Sequence, residues 1–93
     1  MISFKEAAKK AYQFIREVPG YEDKGEILVE EVEKSEDGYY WLITLGYLVP
    51  TKYGSPSALS LFTTSPEFKK EYKRFKINIE TGEVESMTLR TLG

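Results

Sequence analysis

The side chains of this 93-residue chain that could do chemistry are carboxylates, amines, guanidinia and phenols, because it contains no His and no Cys. That excludes Ser-His-Asp and Cys-His relays, thiolate zinc sites and a disulfide framework. No Ser-x-x-Lys, phosphate-cradling glycine loop or His-bearing metal motif occurs either. What remains is general acid–base work by two carboxylates, for example Glu30 with Glu80 or Glu83. Carboxylates this frequent are more often solvated edges than catalysts. The expectation is a protein that is not an enzyme, with no cofactor and no metal.

Two charge runs stand out. Glu30, Glu31, Glu33, Glu36 and Asp37 match no calcium-loop spacing and read as an edge strand and turn kept from aggregating by charge. Lys69, Lys70, Lys73, Arg74 and Lys76 are interleaved with Tyr72 and Phe75, the general look of a nucleic-acid surface. Thirteen basic against fifteen acidic residues nevertheless leave a net charge of −2. That balance gives no bulk attraction to nucleic acid or to anionic membrane. A solvated face or an acidic protein partner fits the cluster better.

The elements that must position these residues follow from periodicity. Ser3-Phe4-Lys5-Glu6 fits a helix-starting capping box. Phe4, Ala7, Ala8, Ala11, Phe14, Ile15 and Val18 then recur at helical spacing as one apolar stripe. Pro19-Gly20 ends the helix. Residues 26–34 read as a strand in which Ile27 and Val29 share one face and Leu28 and Val32 the other. A bulge near Glu30-Glu31 would bring Val32 back into phase. Ser35-Glu36-Asp37-Gly38 is a turn. In 39–49, Tyr39, Trp41, Ile43, Leu45, Tyr47 and Val49 alternate onto one face, opposite Tyr40, Leu42, Thr44, Gly46 and Leu48.

Residues 50–70, punctuated by Pro50, Gly54, Pro56 and Pro66, are expected to be a long loop, with a short helix possible at Ser65-Pro66-Glu67. A third strand from about Tyr72 turns Phe75, Ile77 and Ile79 one way and Tyr72, Arg74, Lys76 and Asn78 the other. Gly82 provides a left-handed turn position, and a last strand carries Val84, Met87 and Leu89. The predicted fold is therefore a single α+β domain, 1–93: one N-terminal helix packed on a four-stranded antiparallel meander, with a long loop between strands 2 and 3. Phe4, Phe14, Ile15, Trp41, Ile43, Phe75, Ile77 and Leu89 are expected to meet in its core.

The sheet face opposite the helix is the candidate site. Tyr40, Leu42 and Tyr72 fall on it by alternation, beside Arg74 and Lys76, and exposed aromatics flanked by Arg are the usual make-up of interface anchors. The 50–70 segment adds Tyr53 and Phe62. The segment either folds back over this face or leaves it to a protein partner or to a second copy, so that the chain is a monomer or a homodimer; a small ligand held between the segment and the sheet is the further alternative.

"SFKEAAKKAYQFI", "GYYWLITL" after an acidic turn, and the closing "FKINIETGEVESM" together resemble PepSY-like and cystatin-like small α+β domains. The helix and first strands are also similar to YrhB-like bacterial immunity proteins. The resemblance implies a binding or inhibitory module, in some families one that restrains a peptidase. The Gln-x-Val-x-Gly hairpin of cystatins is absent, so cysteine-protease inhibition has no local support. The charged N-terminal stretch lacks the look of a secretory signal, and the expected location is cytoplasmic.

Overall fold

A computed structural model describes residues 1–21, 25–50 and 68–90. In chain order these form α1 (Phe4–Glu17), β1 (Ile27–Lys34), β2 (Tyr40–Pro50), β3 (Phe68–Asn78) and β4 (Val84–Leu89). The strands make one sheet in the order β1-β2-β3-β4, and each neighbouring pair is antiparallel. The α+β meander expected from the periodicities is the fold observed.

Each element starts and stops for a local reason. The Ser3 hydroxyl caps α1 by accepting from the Glu6 amide at 3.2 Å, satisfying one of the four amides a helix start leaves free. Val18 leaves the helix with φ −74° and ψ 128°, the extended conformation favoured before a proline such as Pro19. Between β1 and β2, Asp37 accepts from the Ser35 hydroxyl and the Tyr39 amide, and Gly38 takes a φ of +79°. Between β3 and β4, the Asn78 side chain accepts from the Glu80 and Thr81 amides. Gly82 completes that turn at φ +77°, a conformation open to glycine at little cost.

The core lies between α1 and one face of the sheet. Ala7, Ala11, Ile15, Ile43, Leu45, Phe75 and Ile77 are fully buried, and Ile27, Tyr47, Val49 and Ile79 nearly so. The two alanines bring the helix backbone close to β2, and that closeness decides which residues are central. Leu45 and Tyr47 lie under the helix, whereas Phe4, Phe14 and Leu89, expected in the core, are 47%, 38% and 64% exposed. A single helix is narrower than four strands, so large side chains on its flanks and on the far strand end up at the rim. Phe14 still meets Phe75 edge-on at 6.1 Å and Phe4 meets Trp41 at 6.3 Å. Trp41 is half-buried, its indole N–H donating to the Ile2 carbonyl at 3.0 Å.

The third strand begins earlier than its sequence suggests. Phe68, Lys69 and Lys70 belong to β3 and pair with Pro50, Val49 and Leu48, so the expected 50–70 loop shrinks at both ends. The lysines disguise this, because a polar run carries no alternation signal even when its backbone is laddered. Residues 51–67, including the expected turn at 65–67, lie outside the described residues. Among the described residues no helix is long and apolar enough to cross a membrane.

Candidate binding face of the sheet

The candidate site is built by strand pairing. Leu42 sits opposite Lys76, Thr44 opposite Arg74, Gly46 opposite Tyr72 and Tyr40 opposite Asn78. Paired residues in an antiparallel ladder point to the same face, so Tyr40, Leu42, Tyr72, Arg74 and Lys76 share the side turned away from α1. The expected juxtaposition of these five is present, but all five are half-buried rather than exposed, because neighbouring side chains of the same face cover them in part. Tyr53 and Phe62 lie outside the described residues.

Two bulges modify what the alternation offers. In β1 the register shifts between Val29 and Glu31, as the sequence suggests, so Val32 joins Ile43 on the helix side. The same bulge leaves Glu30 beside Glu31 on the open face: the Glu30 side chain lies over Gly46, where a Cβ would approach its Cγ to 2.8 Å. In β4 the register shifts around Glu85, between the Lys76–Ser86 and Ile77–Val84 pairs. That second bulge reconciles Val84 and Met87, which have opposite parity along the strand.

Charge then organises the face. The Lys70 ammonium pairs with Glu30 at 2.5 Å, Arg74 with Glu33 at 3.3 Å and Arg90 with Glu31 at 2.9 Å. The last pair runs from β1 to the end of β4, over the two central strands. It can do so because Thr44, the β2 residue beneath, is short. Thr44 is 1% exposed and hydrogen-bonds the Glu31 carboxylate. The Arg90 hydrogen bond, with help from its charge, holds the Glu31 carboxyl below the usual range. The Glu30 hydrogen bond raises the Lys70 ammonium above its own. Exposed ion pairs contribute little to stability singly; their role here is to fix where long side chains lie. Arg74 Nε is buried in this layer and finds no hydrogen-bond partner among the described residues.

The aromatic groups are tied to the same lattice. Lys76 Nζ stands 4.2 Å from the centre of the Tyr40 ring and Lys70 Nζ 5.9 Å from that of Tyr72, both within cation–π range. The Glu85 charge beside the Tyr40 hydroxyl raises its pKa. At the β1–β2 flank of the face, Leu28 and Leu48 are 47% and 53% exposed.

The carboxylate pairing considered for catalysis does not form. Glu30 lies over Gly46, which pairs with Tyr72. Glu80 follows Asn78 and the Glu83 carbonyl accepts from the Asn78 amide, and Asn78 is six residues further along β3 than Tyr72, roughly 20 Å away at strand rise. No cluster of three or more acidic side chains suited to a metal ion occurs among the described residues. The acids of β1 lie on an edge strand, as read from the sequence, and Glu30, Glu31 and Glu33 are also half of the ion-pair lattice. The available signal was the sign alternation between the first and third strands, combined with the bulge that turns two successive glutamates to one side. Comparison with models of known protein families, with curated proteins and with solved structures gives no match for the chain.

Proposed function

We propose that this protein is a non-enzymatic protein-binding module that works by occluding its partner through the open face of the sheet. Tyr40, Leu42, Tyr72, Arg74 and Lys76 would be the contact residues, with Tyr53 and Phe62 added on sequence grounds alone. The observation that carries this reading is the convergence of aromatic, aliphatic and guanidinium groups on one side of a sheet whose other side is filled by α1. Their positions are held before any partner arrives, which lowers the ordering cost of association.

The face carries four acids (Glu30, Glu31, Glu33, Glu85) and four bases (Lys70, Arg74, Lys76, Arg90). Such a surface selects by pattern rather than by net charge, which favours a protein over nucleic acid. An inhibitor or immunity protein acting in the cytoplasm, as the resemblance to PepSY-like, cystatin-like and YrhB-like proteins implies, is the specific form of the proposal.

Affinity capture from the native host tests it. A Tyr72→Ala, Phe62→Ala double variant with wild-type circular dichroism should lose a protein that the wild type retains. Equal capture by both removes these residues from the site. The exposed Leu28 and Leu48 support a second reading, self-association through the same face. Light scattering over a dilution series separates the two, since a strict monomer excludes the second.

A further inference from the structure

The outer edge of β1 has a two-sided character that the open-face proposal does not use. Toward the helix side it shows Val29 and Val32, 48% and 39% exposed. Tyr12 of α1, 40% exposed, belongs to that flank. Its hydroxyl accepts from Arg16, whose guanidinium also donates to the Gly25 carbonyl just before β1. Toward the open side the same strand carries Glu31 and Glu33 over its second half, ion-paired inward with Arg90 and Arg74, the Glu33 side chain remaining 51% exposed.

Among the described residues, β1 ends the sheet and pairs with β2 alone, leaving the backbone of its other edge uncovered. The Ser35 amide donates to the Tyr40 carbonyl, which makes that position a hydrogen-bonded pair. Hydrogen-bonded and non-hydrogen-bonded pairs alternate in an antiparallel ladder. Val32 and Lys34 therefore direct their N–H and C=O groups outward.

We infer that the β1 edge accepts an extended peptide segment as a fifth strand, one whose side chains alternate between apolar and basic. Its backbone bonds to Val32 and Lys34, its apolar side chains lie on the helix side beside Val29 and Val32, and its basic side chains reach Glu31 and Glu33, sharing those carboxylates with Arg90 and Arg74. Strand addition of this kind takes affinity from the main chain and selectivity from alternate side chains. A second copy docking through its own β1 is disfavoured, because antiparallel pairing of two such edges brings acids against acids. The inference does not depend on the open-face reading, whose aromatic residues lie on the central strands.

The test uses the full chain and a short fluorescent peptide alternating Lys and Val, followed by anisotropy. Saturable binding is expected, weakened about tenfold by Val32→Lys and also when the peptide is N-methylated along its pairing edge. A matched Glu–Val peptide should not bind, and Tyr72→Ala should leave the Lys–Val peptide unaffected. Absence of binding overturns the inference. So does indifference to N-methylation, which would signal adhesion without strand pairing, or equal binding of the Glu–Val peptide.

Discussion

Tyr47 offers a quantitative test of how the core is closed at the β2 end. It is 1% exposed, meets Tyr21 edge-on at 5.6 Å and donates its hydroxyl to Glu71 at 3.2 Å. Burial first, then Tyr21 and Glu71, raise its pKa far above the ordinary 10.0. The native state therefore keeps the phenol neutral in alkali, while the unfolded chain ionises it. The unfolded state binds fewer protons above pH 10, so stability must fall as pH rises. The loss from this group follows RT ln(1 + 10^(pH − 10)), on the order of 1 kcal/mol by pH 11. Tyr47→Phe abolishes that loss but forfeits the Glu71 hydrogen bond, at about 1 kcal/mol. Urea unfolding should find the variant about 1 kcal/mol weaker at pH 7 and at least as stable as the wild type by pH 11, where the ionisation loss offsets that bond. The two stability curves cross between about pH 10 and 11. Parallel curves for the two proteins across this range would refute the argument, since they require a Tyr47 that titrates alike in both states.

Further outcomes follow from the same packing. Phe75→Ala should cost about 3–5 kcal/mol by thermal or urea unfolding, and Phe14→Ala clearly less, because only Phe75 is enclosed on all sides. Gly82→Ala should cost at least about 1 kcal/mol, since φ is +77° and the new methyl meets Lys10 Cε at 2.9 Å; an unchanged Tm would contradict this. Asp37 is held below its ordinary 3.8 by the Ser35 hydroxyl and then the Tyr39 amide. Its contribution is present above pH 3.8 and is lost as pH falls through the lower native value, so Asp37→Asn should shrink the acid-dependent loss of stability seen by circular dichroism.

Much of this was legible in the sequence because one periodicity governed each element. The alternation from Tyr39 to Val49 specifies both faces of β2, and the mismatch between Val29 and Val32 specifies the β1 bulge. Legibility failed where an outcome depended on partners distant in sequence. Phe4, Phe14 and Leu89 have core-like chemistry, but their burial is decided by the width of one helix against four strands. Lys69 and Lys70 carry no pattern, so their place in β3 follows only from pairing with Val49 and Leu48. At the candidate site, parity alone brings Tyr40, Leu42, Tyr72, Arg74 and Lys76 together. The crossing of Arg90 to Glu31 could not be read in advance, because it depends on a short residue, Thr44, lying between strands far apart in the chain.

Lysine acetylation read by mass spectrometry, with and without the captured partner, tests the open-face proposal most directly. Lys70 and Lys76 lie beside Tyr72 and Tyr40 on that face, whereas Lys9 is exposed on α1, on the other side of the sheet. Protection of Lys70 and Lys76 with Lys9 still reactive is the expected result. Protection of Lys9 with Lys70 and Lys76 unchanged would move the binding surface to the helix and contradict the account.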